Sequence, residues 1–550
     1  MWFKSTLTFD EKKIRNKQLL LGLLSGTLLG LSFPPIPLPY LMFTALIPYF
    51  FVIEKRKTLA EVNRITFFTF FIFSIITLYW VGSWMPEADP FLMTSGVALV
   101  LFNPVLFLIP STLFHYTRKI FTDKIAFVLF PFFWVFYEYI YGLTDLRFPW
   151  LVLGHGLAYF KSFIQIADTI GALGISLLVL FINVSLFFLL KTYFISRKID
   201  LKIAVLTFVM ILLPIIYGSI KVSSYNGSER SVKVGLIQPD LNPWNKWELG
   251  SLDDLLDIYL TLSNKAVQEN AEIIIWPETA LPRYIMSGSY PGVVKRIRNF
   301  VDSNNVYLMT GMPDATFYRE KDKAPEDAKK AKSSDLHYTS YNSILGFTPN
   351  ERKVEKYGKI KLVPFGEHAP FVEHIPFIGD FIKWNVGISS WNIGKDTLVF
   401  NYKKSGSESV KIGGVVCIES IYPDFIAQFV DRGAEMLAVA TNDSWYGNSS
   451  GPYQHKEISV LRAIENRRSV VRAANGGISA IINPIGFVVS ETKMYTRDFL
   501  VGDVELNNEK TFYTENPLLI QYLSSIITLL IIFLIVISQI KTKFLRKENE

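Results

Sequence analysis

The chain has 550 residues, half of them hydrophobic, with 44 phenylalanines and only 19% charged residues. A soluble protein of this length normally carries more charge and fewer apolar side chains, so the composition argues for a membrane protein, with length enough for more than one domain. The net charge of +7 would suggest nucleic acid only if the basic residues lined one folded face. Many of them instead sit in short clusters beside apolar runs, as membrane proteins place them, and no nucleic-acid partner is expected.

The N-terminal basic stretch (Lys12, Lys13, Arg15, Lys17) precedes a long apolar run. No small-residue cleavage pattern follows, and Phe33-Pro34-Pro35 leads into the next apolar run, so no cleavable signal peptide is predicted. About eight runs satisfy the roughly 20-residue spanning criterion. Seven lie near 18–34, 38–54, 65–84, 91–114, 125–143, 164–190 and 203–221, and the last near 517–540. The second and fifth are short or interrupted by proline and polar residues. Basic clusters recur at the N-terminus, Lys55-Arg56-Lys57, Arg118-Lys119, Arg197-Lys198, and Lys541 to Lys547, while the loop 85–90 carries Glu87 and Asp89. The positive-inside rule predicts both termini in the cytoplasm. Seven crossings then put residues 222–516 on the outer side, which divides the chain into a bundle (1–221), an outer domain (222–516) and a last helix with a basic tail (517–550).

Residues 222–516 change character. Strands are predicted at Lys233–Ile237, Glu272–Trp276, Val306–Gly311, Tyr341–Phe347, Lys411–Cys417, Met436–Thr441, Gly477–Ile482 and Phe487–Ser490, with helices near 253–268, 291–303, 422–432 and 453–473. Alternation of this kind predicts an α/β domain. The charged stretch Arg319–Asp335 lacks apolar periodicity and is predicted as a solvated loop. Arg462, Arg467, Arg468 and Arg472 read as structural partners of acids in the domain; attraction of lipid phosphate is the alternative.

Three motifs place reactive groups at predicted strand ends, where α/β sheets gather function. Glu278 follows Ile273-Ile274-Ile275-Trp276-Pro277. Lys359 precedes Leu362-Val363-Pro364-Phe365-Gly366-Glu367. Cys417, the only cysteine, ends Gly413-Gly414-Val415-Val416. A single cysteine rules out an intramolecular disulfide and a cysteine-based zinc cage. The six histidines are scattered with no His-x-x-x-His pair, so neither a metal nor another cofactor is expected. Taken singly, each motif residue also has a plain structural reading: a buried small hydrophobe for Cys417, a turn residue for Glu278, a surface charge for Lys359, with Lys361 competing for any role based on charge. On the residues alone both readings stay open.

The motifs, in this order and with these flanks, resemble the nitrilase superfamily, and most closely its membrane-embedded branch, apolipoprotein N-acyltransferase. The similarity covers nearly the whole chain. It includes Phe148-Pro149-Trp150 with Gly154, Gln238-Pro239 through Lys246-Trp247, Trp276-Pro277-Glu278, Lys359 with Leu362–Glu367, and Cys417 with Glu419. Further matches are Asn442-Asp443-Ser444-Trp445-Tyr446-Gly447 and Arg462-Ala463-Ile464-Glu465-Asn466. The resemblance implies a bundle of about eight spans carrying an α-β-β-α sandwich. It assigns Cys417 as nucleophile, Glu278 as general base and acid, and Lys359 as the oxyanion-stabilising cation, preferring it to Lys361 because the family lysine lies eight positions before the motif's last Glu. Glu367 and Glu419 become supporting acids, and Trp247 and Trp445 match aromatic positions linked to lipid access. The implied partners are a phospholipid acyl donor and a diacylated apolipoprotein acceptor. Ile418 stands where the family often has Tyr, and Gly476-Gly477 where Thr-Gly is common. A membrane-tethered amidase would share the triad. A transporter or scaffold would not need it, and charge within the spans is sparse for ion-coupled transport.

Overall fold

The computed structural model describes residues 8–245, 251–331, 335–368, 391–403 and 408–547. Every predicted span is helical. Six helical segments are long and apolar enough to cross a membrane: Leu59–Gly82, Pro90–Ile120, Asp123–Leu143, Ala167–Ser196, Leu201–Ser223 and Leu519–Thr542. Their outward faces are apolar, with Phe208 and Phe533 each 61% exposed. Such surfaces are stable only in an apolar solvent, so this is a membrane protein.

The other two predicted spans differ from expectation. The first helix, Phe9–Leu31, begins well before residue 18. A capping box sets its start: Thr8 accepts from the Glu11 N–H, and the Glu11 carboxylate accepts from the Thr8 N–H. The second is broken into a tight turn of helix (Pro39–Phe43) and a short α-helix (Ile47–Ile53). At about 1.5 Å per residue, pieces of 5 and 7 helical residues fall well short of a ~30 Å hydrocarbon core. Asn183 compensates for the break, donating to the Met42 carbonyl and accepting from the Leu46 N–H, both at 2.9 Å. Backbone groups freed inside a bundle need such partners.

The bundle packs by two devices. Gly22, Gly26 and Gly30 form one stripe on the first helix, and the helix Leu59–Leu78 approaches so closely that a Cβ on Gly22 would lie 2.8 Å from Ile65 and one on Gly30 2.6 Å from Ile76. Elsewhere phenylalanines fill the interior. The ring of Phe50 meets those of Phe127, Phe130 and Phe187 edge-on at 5.4–5.9 Å, a favoured quadrupolar arrangement.

The α/β domain holds two sheets. The first contains β1 (Ser231–Gln238), β2 (Ile273–Trp276), β3 (Tyr307–Tyr318), β4 (Lys329–Lys330), β5 (His337–Phe347), β6 (Val354–Gly358) and β13 (Asp498–Glu505). Its order is β13-β1-β2-β3-β5-β4, with β6 also paired to β5. The second contains β7 (Val399–Lys403), β8 (Ser409–Val416), β9 (Met436–Thr441), β10 (Ser469–Ala474), β11 (Ala480–Ile482) and β12 (Val488–Glu491), in the order β12-β11-β10-β9-β8-β7. The central strands β1-β2-β3 and β8-β9-β10 are parallel and largely buried, with Val and Ile prominent in β1, β2, β8 and β10, as two-sided burial favours. The sheets pack face to face, with helices Leu252–Gln268, Pro291–Asn304, Pro423–Asp431 and Ser450–Asn466 around them.

Several boundaries move. The predicted helix 453–473 ends at Asn466, where Arg467 takes a left-handed conformation (φ +47°) and caps it. Ser469–Ala474 then runs as β10, parallel to β9. Strand β11 begins at Ala480, three residues later than expected, and β4, β6, β7 and β13 were not predicted. The Arg319–Asp335 stretch is not wholly irregular, since Lys329 and Lys330 pair with Tyr338 and His337 on β5; residues 332–334 lie outside the described residues. The four arginines take structural partners. Arg462 pairs with Glu465, Arg467 with Asp168, Arg472 with Asp443, and Arg468 donates to the carbonyls of Ala434 and Glu509.

Domain and bundle share buried contacts along the helix Ser450–Asn466. The Gln454 side-chain oxygen accepts from the indoles of Trp80 (3.1 Å) and Trp150 (2.7 Å), and Glu465 accepts from the Ala172 N–H at 2.8 Å.

Candidate active site

The carboxyl ends of the parallel strands converge on one cavity of about 90 Å³. Glu278 arrives two residues past β2. It fits there because Gly311 on β3 has no side chain; a Cβ would sit 2.6 Å from the Glu278 Cα. Lys359 immediately follows β6, and its N–H donates to the Asn342 carbonyl on β5 at 2.8 Å. Cys417 follows β8, and Asn442, Trp445 and Tyr446 follow β9. All six residues line the cavity, together with Asn342 and Glu367.

Lys359 is fully buried and paired with two carboxylates, Glu278 at 3.3 Å and Glu367 at 2.8 Å. Asn342, which the sequence reading missed, donates through Nδ2 to both acids at 2.7 Å. Nothing local marks it in the sequence, since Ser340 and Ser343 are polar neighbours on the same strand. Burial pushes the Lys359 ammonium down, but Glu367, Glu278 and Cys417 more than offset this and hold it well above the ordinary lysine value. Lys359 therefore stays cationic. Lys361 lies elsewhere, with its ammonium over the rings of Tyr422 and Phe425 at 5.4 and 5.7 Å.

Cys417 has φ +50°, a left-handed conformation that costs a non-glycine residue about 1–3 kcal/mol and persists only where surroundings enforce it. Glu419 is one such constraint. It is fully buried and accepts from the N–H groups of Val416 (2.8 Å), Ile360 (2.7 Å) and Lys361 (3.1 Å) and from the Tyr357 hydroxyl (2.8 Å). It ties the cysteine turn to the lysine turn. Burial raises the Glu419 carboxyl above its ordinary value despite these bonds. Burial, followed by the Glu278 charge, also pushes the Cys417 thiol up, while Lys359 and a hydrogen bond to Thr441 pull it partly back. The resting sulfur is thus a thiol, and a base beside it is needed for nucleophilic chemistry.

A second cavity, about 470 Å³ and mainly apolar, adjoins this one. Leu92, Val363, Gly366 and Tyr446 line both. Its far wall includes Phe91, Ala98 and Phe102 on the membrane-length helix Pro90–Ile120. Trp445 sits at the first cavity, edge-on to Trp244 at 4.9 Å, and its carbonyl accepts from Ser83 at 2.7 Å. Trp247 lies outside the described residues. Ile418 is buried in the core beside the cavity-lining cysteine, and Gly476 has φ +67°, a conformation that threonine would adopt only under strain. Among the described residues, no three His, Cys, Asp or Glu side chains are grouped to hold a metal.

Residues 25–185 match the apolipoprotein N-acyltransferase N-terminal domain, and residues 233–512 match carbon-nitrogen hydrolase. A curated apolipoprotein N-acyltransferase of Chlorobaculum tepidum is 32% identical over 93% of this chain and 95% of its own. Another, of Geobacter metallireducens, is 30% identical over 92% of each. A solved nitrilase-superfamily amidase of Nesterenkonia AN1 aligns at 16% identity and TM-score 0.36, covering 53% of this chain and 95% of that one. By the extent of the first two likenesses, the chain belongs to the apolipoprotein N-acyltransferase family.

Proposed function

We propose that the protein moves an acyl chain from a phospholipid, through a thioester on Cys417, to the N-terminal α-amine of S-diacylglyceryl-cysteine apolipoproteins. The observation that carries this reading is the junction of the two cavities. A thiol with an acid and an ammonium shares Leu92, Val363, Gly366 and Tyr446 with an apolar space walled by a membrane helix. An acyl chain can stay in apolar surroundings while its ester carbonyl reaches the sulfur.

Glu278 takes the thiol proton as sulfur attacks the ester carbonyl. Lys359 stabilises the tetrahedral oxyanion. The ester C–O bond breaks, Glu278 returns the proton to the departing lysophospholipid alkoxide, and the thioester remains. The acceptor's neutral α-amine then attacks. Glu278 accepts its proton and passes it to the departing sulfur as the C–S bond breaks, leaving an amide and a free thiol. Glu367 and Asn342 hold the lysine–glutamate pair in place, Glu419 holds the cysteine turn, and Trp445 flanks lipid access. Limited water entry protects the thioester.

The membrane arrangement belongs to the same proposal. It has eight spans, both termini in the cytoplasm, a bundle over 1–221, a catalytic domain over 222–516 on the outer face, and a return helix within 517–550. The distribution of basic clusters supports it, and donor and acceptor are then confined to the same surface as the sulfur, which raises their effective concentration. Mass spectrometry of protein incubated with phospholipid tests the reading. An acyl adduct on Cys417 is expected, removed by hydroxylamine and discharged by a lipopeptide with a free amine. Release of free fatty acid with no transfer to the lipopeptide would replace it with a hydrolase.

A further inference from the structure

We propose that His455 is a positioning residue for the nucleophile, gripping the Cys417 carbonyl from the helix that joins the domain to the bundle. This rests on Cys417 being the attacking group. His455, Asp443, Arg472 and Ser420 are all buried. His455 Nδ1 lies 2.8 Å from Asp443 Oδ1. A carboxylate only accepts, so Nδ1 carries the shared proton. Asp443 is fixed in turn by Arg472 at 2.7 Å and Thr441 at 3.0 Å. Burial pushes the Asp443 carboxyl up, but His455 and Arg472 outweigh it and leave the group below its ordinary value.

The other edge of the ring closes a triangle. Nε2 lies 2.8 Å from Ser420 Oγ and 3.2 Å from the Cys417 carbonyl oxygen, and the Ser420 hydroxyl donates to that carbonyl at 2.9 Å; with the hydroxyl proton committed there, both oxygens beside Nε2 can only accept, so Nε2 carries a second proton and donates to them. The carbonyl belongs to the residue held at φ +50°, so the grip acts on a backbone that would otherwise relax. On its third side the imidazole lies 5.6 Å from the ring of Trp150, whose indole N–H is bound by the neighbouring Gln454. The ring's polar contacts run to Asp443, Ser420, Arg472 and the Cys417 backbone carbonyl. The ring sets where the sulfur stands relative to Lys359 and Glu278, and a displacement of about 1 Å at a reacting atom can cost about 100-fold in rate.

The test uses the full chain in lipid nanodiscs, with two readouts: the rate of acyl-adduct formation from phosphatidylethanolamine, and the rate of Cys417 alkylation by iodoacetamide. His455→Ala should slow acylation roughly 10- to 100-fold at an unchanged half-saturating lipid concentration. His455→Gln, whose amide can still donate to the carbonyl, should recover part of the loss. Acylation of His455→Ala at the wild-type rate overturns the proposal. So does a His455→Gln protein as slow as His455→Ala when both melt at the wild-type temperature. Where His455→Ala does not fold, Ser420→Ala decides: slowed acylation sustains the proposal and an unchanged rate overturns it. Should the wild-type protein form no acyl adduct, the acyltransferase reading fails separately. Alkylation then decides for His455, slower in the variant if it positions the thiol and unchanged if it does not.

Discussion

The two sheets of the domain contribute to the site in different ways. The β1–β6 side supplies charge: Glu278 past β2, Asn342 on β5, and Lys359 and Glu367 past β6 meet as one cation between two acids, bridged by an amide. The β7–β12 side supplies the sulfur and a scaffold of near neighbours, in which Glu419 and Ser420 lie within three residues of Cys417, and Asp443 and His455 follow β9. In the proposed reaction the first cluster acts through electrostatics. The second fixes geometry, with Glu419 and Ser420 beside the sulfur in sequence and His455 reaching its carbonyl from 38 residues on. Changes on one side should therefore alter charge-dependent steps, and changes on the other should alter whether the sulfur is present and aimed.

The largest effect belongs to the sulfur. Cys417→Ser should abolish the hydroxylamine-sensitive adduct and lower transfer by about 10⁴-fold or more, the scale seen when a nucleophile is removed. Intact transfer in that variant would detach chemistry from the β8 side. Next, Glu278→Gln separates the two sides through opposite signs. Losing the base should reduce acyl transfer by about 10²–10⁴-fold. The Glu278 charge also raises the thiol, so its removal brings the thiol pKa down and increases the thiolate fraction at neutral pH. Iodoacetamide alkylation should become faster in the same protein that acylates more slowly. If both rates fall together, Glu278 acts by holding the structure.

Lys359→Met removes the cation while keeping much of the stem. Acylation should drop by about 100-fold, and alkylation at neutral pH should slow because the lysine pulls the thiol pKa down. Two buried carboxylates also lose their partner, which should destabilise the fold by about 3–5 kcal/mol. Denaturation monitored beside activity tells the two losses apart.

That Glu278, Lys359 and Cys417 belong together was legible only through the resemblance their flanks carry, since each taken singly kept a plain structural reading, and the structure places all three on one cavity. The class of the fold was legible too, since strand and helix periodicities differ across 222–516. Asn342 was not, because its role depends on β5 lying between β3 and β6, a pairing that no local pattern encodes. The helix at 453 was expected to run through to 473 because Val470 and Val471 continue an apolar rhythm, and the left-handed cap at Arg467 is set by tertiary bonds to Asp168 and Gln165. In the membrane part, hydropathy located the six helices long and apolar enough to cross, but the glycine stripe passed unnoticed, because small residues register as neither apolar nor polar in such a count.

That stripe supplies the smallest expected effect and the sharpest contrast between membrane and domain packing. Gly26 faces Thr69 and Ile72, and a Cβ there would overlap the Thr69 carbonyl oxygen and approach Ile72 to 2.8 Å. In an isolated helix, Gly→Ala gains about 1 kcal/mol of helix propensity. In the bundle, Gly26→Ala must push the two helices apart, and overpacking of this kind costs about 1–3 kcal/mol, so the variant should melt below the wild type in detergent. Gly292, in the domain helix Pro291–Asn304, has open space around it, with nothing within 4 Å of where an added methyl group would sit. Gly292→Ala should therefore leave the melting temperature unchanged or raise it slightly. Acylation per folded molecule should change little in either variant, since neither glycine lines the catalytic cavity. Equal shifts in melting temperature would mean that the close approach of the first and third predicted spans contributes nothing to stability.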